Sequence, residues 1–143
     1  MKADELMVGD WVYGCTDPYD QDEEQKKYPV KVIRIDAYGD IMTEGENPFT
    51  EPYEDEWWNL EPIPLTPEIL EKNFGVVERS SDGYSCVINR ELLLAFHLEA
   101  TLDIWIAQPS DWPHLTYSLP LPRYVHELQH ALRICGIEKE IVL

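Results

Sequence analysis

Apolar and polar positions alternate with a period of two over most of the chain, and shift to helical spacing in two places. Gly9-Asp10-Trp11-Val12-Tyr13-Gly14 is a short extended run between glycines. From Tyr28 to Ala37, Val30, Val32, Ile33 and Ile35 are interspersed with Lys31, Arg34 and Asp36, which predicts a strand. Tyr38-Gly39-Asp40 predicts a tight turn into Ile41-Met42-Thr43, and Trp57 to Ile63 predicts a further extended segment. Polar loops fill residues 16–27 and 44–56. Four or five such short antiparallel strands suggest a small SH3-like β-barrel over residues 1–63.

The first change of period comes at Thr66-Pro67-Glu68. Thr66 can cap, Pro67 suits the first helical position, and Glu68 favours the positive helix end. Ile69, Leu70 and Phe74 give a short apolar face, and Gly75 stops the helix. A meander is then predicted. Val76–Arg79 and Tyr84–Asn89 are joined by a turn at Ser80-Ser81-Asp82-Gly83. Alternating runs follow around 92–99, 102–107 and 115–119. In the final helix, opened by Pro122 and ended by Gly136, one face carries Tyr124, Val125, Leu128, Ala131, Leu132 and Cys135. Ile137, Ile141 and Leu143 suggest a terminal strand. The fold expected is α+β in two parts: 1–63 an acidic barrel-like module, and 64–143 an antiparallel sheet with two helices.

Composition narrows the function classes. At 143 residues and 44% hydrophobic, the chain can bury a core. No apolar run approaches a membrane span and the N-terminus has no signal core, so a cytoplasmic location is expected. Cys15, Cys86 and Cys135 are widely separated, which predicts reduced thiols, mostly buried. There are 28 acids against 11 bases, a net charge of −17. Residues 1–65 carry 17 of the acids and 5 of the bases. This balance disfavours nucleic-acid phosphates and membrane surfaces as partners. It suits a basic protein partner, or mimicry of DNA by an acidic surface.

One motif carries possible catalytic chemistry. His126-Glu127-Leu128-Gln129-His130 matches HExxH, in which two histidines one turn apart hold zinc and the glutamate activates the bound water. Three features oppose a zinc hydrolase here. So short a pattern also arises by chance. The extended motif is broken, with Arg133 and Gly136 at its glycine and histidine positions, and only Glu138 and Glu140 are downstream carboxylates. Helical spacing of 100° per residue turns His126 and His130 away from the apolar face, so a solvated surface is expected, with Glu127 and Arg133 as surface charges. The expectation is therefore no cofactor and no catalytic residue, with Glu127, His126 and His130 kept as the hydrolase alternative. His97 and His114 are expected to be half-exposed, and Cys135, on the core face, to be inert.

The aromatic residues of the first part point elsewhere. Trp11, Tyr13, Phe49, Tyr53, Trp57 and Trp58 crowd its acidic sequence. Aromatic surfaces flanked by acids on SH3-like folds take basic or proline-rich peptides. Trp11, Tyr13, Trp57 and Trp58 are the candidate binding residues.

Three stretches carry a family resemblance: Lys2-Ala3-Asp4-Glu5-Leu6 with Gly9-Asp10-Trp11-Val12, the junction from Ile63 to Asn73, and Tyr124 to Leu132 with Gly136-Ile137-Glu138. In these the chain resembles uncharacterised small proteins of gut Bacteroidales, often encoded on phage or other mobile elements. That family often has Gln and Asn where this chain has Glu127 and His130, which keeps the helix and breaks HExxH. Asn73-Phe74-Gly75 departs from the family's Asn-Gly-Phe order. The resemblance implies no known activity. The function expected is that of a non-enzymatic, protein-binding accessory protein, with a DNA-mimic inhibitor and a zinc hydrolase as alternatives.

Overall fold

The computed structural model describes residues 1–19, 24–45, 57, 59–75, 77–89, 92–97, 101–106 and 114–143, with the backbone alone for 45, 87–89, 106 and 114–116. Two antiparallel sheets and two helices account for its regular structure, apart from a 3-10 turn at Ala3–Glu5. The chain divides into two compact units. The first holds Met1–Pro64 together with Tyr124–His130; the second holds Leu65–Arg123 and Ala131–Leu143.

In the first unit β1 (Trp11–Cys15), β2 (Lys27–Ile35), β3 (Ile41–Gly45) and β4 (Asn59–Pro62) form a sheet in the order β3-β2-β1-β4. This sheet is open, so the expected SH3-like barrel is corrected to a four-stranded antiparallel sheet. Among the described residues no ladder joins β3 to β4, and they stand at the two ends of the strand order. Alternation along β1 and β2 buries Val12, Val30 and Val32 with Leu6 in one cluster, which Trp57, Leu60, Ile35 and Ile41 pack against.

Gly14 lies on this buried face because nothing larger fits. A Cβ there would overlap the Trp57 indole ring. That indole donates from Nε1 to Thr43 Oγ1 at 3.0 Å, satisfying a buried hydroxyl.

The second unit starts with α1 (Pro67–Phe74), capped as the sequence predicts. Thr66 Oγ1 accepts from the Ile69 amide at 3.3 Å, and Gly75 closes the helix at φ 81°. The meander follows in chain order: β5 (Val77–Ser80), β6 (Gly83–Asn89), β7 (Leu92–His97), β8 (Thr101–Ile106) and β9 (His114–Pro120). Cys86, Leu94 and Ile104 align across three strands and are fully buried, as are the aligned Phe96 and Leu102 to within 1%.

The last helix, α2 (Val125–Ile134), begins three residues after Pro122. Tyr124 first makes a bridge with Pro64, and the Val125 amide donates to Ile63 O at 2.9 Å. Gly136 at φ 71° ends it, and the Ile137 amide returns to Leu132 O at 2.8 Å.

The expected terminal strand is absent. Asn73 of α1 takes the place of a sheet partner for the tail. Its Nδ2 donates to Val142 O at 2.8 Å, and its Oδ1 accepts from the Val142 amide at 2.7 Å. The same amide group also donates to Ile69 O at 2.8 Å. With one side-chain amide serving both of its backbone groups, Val142 needs no ladder.

Candidate functional site

HELQH lies on α2, but its environment differs from the solvated face expected. His126 is 93% buried by residue surface, being 7% exposed, and Gln129 is equally buried. The reason is a second covered side. The helix buries Val125, Leu128 and Leu132 on its apolar side, while its polar side meets the turn that leads into β1.

That turn is built around Asp10, whose side chain is fully buried. The Asp10 amide donates to Met7 O at 3.1 Å, and the Met7 amide donates to Asp10 Oδ2 at 2.7 Å. Gly9 sits at φ 96°, where an L side chain is strained, and its amide reaches Val32 O at 2.6 Å. Held in this way, the Asp10 carboxylate faces α2. His130 Nε2 donates to Asp10 Oδ2 at 2.6 Å. Gln129 spans the neighbouring residues: its Nε2 donates to Gly9 O and its Oε1 accepts from the Trp11 amide, both at 2.9 Å. Two of the five residues of HELQH therefore fasten the helix to β1.

His126 stands one turn before His130, with ring centroids 5.7 Å apart and edge-on. It stacks on Tyr124 at 5.9 Å, and its Nδ1 is buried with no hydrogen-bond partner. Burial pushes its imidazole below the ordinary histidine range, against the pull of Asp10 and Glu127. His126, Glu127 and His130 line an open cavity of about 720 Å³ with Lys2, Glu5 and Tyr124. Among the described residues, no group of three His, Cys, Asp or Glu side chains is arranged to hold a metal ion. His130 Nε2 is turned to Asp10.

The four aromatic candidates are not on one surface. Trp57 covers Gly14 on the face that bears Val12, tilted against Tyr28 at 5.9 Å. Trp58 lies outside the described residues, as do Phe49 and Tyr53. Trp11 and Tyr13 project from the opposite face of β1, and both are half-buried. Register places Trp11 beside Lys31 and Lys31 beside Glu44, and puts Tyr13 between Pro29 and Glu61. The Lys31 ammonium lies 5.4 Å from the centre of the Trp11 ring. Glu61 pairs with Lys27 beside buried Cys15, whose thiol is pushed up first by burial and then by Glu61.

In the second unit His97 is half-exposed, as expected, and its Nε2 meets Asp103 Oδ2 at 2.9 Å. Ser118 and Thr101 hydroxyls hold the other carboxylate oxygen at 2.7 and 3.1 Å. The side chain of His114 lies outside the described residues. Cys135 is half-buried rather than fully buried, and burial raises its thiol.

Sequence reasoning missed Asp10 and Gln129. A signal for Gln129 was present. It stands four residues after Val125, at a position that helical spacing turns inward, and a polar residue there needs partners. No family model, curated protein or solved structure matches this chain. No described helix is long and apolar enough to cross a membrane.

Proposed function

We propose that the chain is a non-enzymatic protein-binding module that takes a basic segment of another protein on the Trp11–Tyr13 face of its first unit. One observation carries this reading. Trp11 and Tyr13 stand side by side on the face opposite the Val12, Val30 and Val32 cluster, and Glu44 and Glu61 close the two cross-strand rows that contain them. Aromatic rings offer area at low entropy cost, and the flanking carboxylates favour Lys or Arg in the partner. The excess of acids in residues 1–65 would speed the encounter. Engagement of Gln129 and His130 in holding β1 favours this reading over a zinc hydrolase. The role of accessory protein of a mobile element rests on the family resemblance alone.

The test is a titration of labelled protein with Lys- and Arg-rich peptides, some containing proline, followed by the Trp11 indole and the β1 amides. Shifts confined to this face are expected, weakened about tenfold or more in Trp11→Ala and Tyr13→Ala. No shift with any peptide, or shifts unchanged in both variants, would remove the proposal.

A further inference from the structure

His126 is the one described side chain with a buried polar atom that has no partner. Such an atom costs free energy, so the docked state tolerates this ring without rewarding it. A proton would make it worse placed. His126 would become a cation with 7% of its surface in water, 5.7 Å from the ring of His130. The carboxylate that would neutralise it, Asp10, already receives His130 Nε2 and the Met7 amide on Oδ2. The other groups facing it are Glu5 from the N-terminal turn and Glu127 from its own helix, with Lys2 lining the same cavity.

We propose that His126 is the acid trigger of a latch: proton uptake on its ring releases residues 124–130 of the helix from residues 7–11, undoing the Asp10–His130 contact and both Gln129 bonds together. Two side chains, Gln129 and His130, make these contacts three and four positions after His126 on the same helix, so one displacement of that turn breaks all of them. Direction follows from the burial that pushes the His126 imidazole below its ordinary value of 6.5. The hydrated ring of the released state binds a proton more readily than the buried ring. The latch is therefore at full strength above pH 6.5 and weakens as the pH falls below it, until the docked ring itself titrates.

The experiment uses the full chain and hydrogen exchange at the Met7 and Trp11 amides, which the latch protects, corrected for intrinsic rates. Between pH 7.5 and 5.5 the open population should rise about tenfold, since one linked proton gives at most roughly tenfold per pH unit. His126→Phe keeps an aromatic ring on Tyr124 and cannot titrate at this position, so the rise in open population on acidification should be lost. His97→Gln should behave as the parent protein. A flat parent profile, or a parent-like profile in His126→Phe, overturns the proposal. If His126→Phe does not fold, the ring-proton titration of His126 in the parent decides: a midpoint below 6.5 supports the latch, and one at or above 6.5 overturns it.

Discussion

Asp10 and His130, 120 residues apart in sequence, meet at 2.6 Å, with the carboxylate fully buried and the imidazole partly exposed. Asp10 also closes the turn before β1, so it serves the strand and the helix at once. Asp10→Ala removes both services and leaves donors unpaired. It should destabilise the protein by about 3 kcal/mol or more in urea denaturation. Asp10→Asn keeps an acceptor for the Met7 amide and should cost less, about 1–2 kcal/mol. Equal stability of Asp10→Ala and the parent would show that the contact contributes nothing.

Gly14 tests the packing of the buried face. Gly14→Ala drives a methyl group into the Trp57 ring, so either the indole or β1 must shift. A loss of about 1–3 kcal/mol is expected, with a changed chemical shift at the Trp57 indole N–H as it leaves Thr43. An unshifted indole with unchanged stability would mean that the ring has room to spare.

Asn73 tests the tail. Asn73→Ala removes three hydrogen bonds, two of them to Val142. Stability should fall by about 1–3 kcal/mol, and the Val142 amide should lose its exchange protection. Retained protection would place the tail's anchor elsewhere, for example in buried Ile141.

These three positions show what sequence makes legible. The strands and helices among the described residues lie close to where the sequence pattern places them, because each is encoded locally by alternation, by Thr66-Pro67, or by Gly75 and Gly136. Closure of a barrel is different. It depends on whether two edges meet, and no residue in β3 or β4 records that. The site suffered in the same way. Helical spacing gives one apolar side of α2 correctly, yet a helix covered twice also buries polar residues on its other side. His126 then looks solvated until the turn carrying Asp10 and Gly9 arrives from the far end of the chain.

Acid should act on the second unit through Asp103. The Ser118 hydroxyl, with Thr101 and His97, holds this carboxyl below the ordinary value of 3.8. A lowered carboxyl contributes stability that is present above 3.8 and lost as the pH falls through its folded value. Asp103→Asn should therefore be less stable than the parent at pH 7, and the gap should narrow at pH 3. Denaturant midpoints at the two pH values measure it. A gap that stays constant would contradict the shift.

Thiol chemistry offers an independent check on burial. Burial pushes Cys86 up to about 11 and leaves no exposed surface, whereas Cys135 is half-buried. Alkylation at pH 8 should modify Cys135 well before Cys86 in the native protein, and both equally once it is unfolded. Peptide mass spectrometry reads the order; early modification of Cys86 would mean that its sheet opens readily.

The first unit takes Tyr124–His130 from beyond the whole meander. During vectorial synthesis, residues 1–64 leave the ribosome while the groups that satisfy Gly9, Asp10 and Trp11 have yet to be translated. The nascent sheet must wait some sixty residues for its last partner, so a product truncated before residue 124 lacks this fastening altogether.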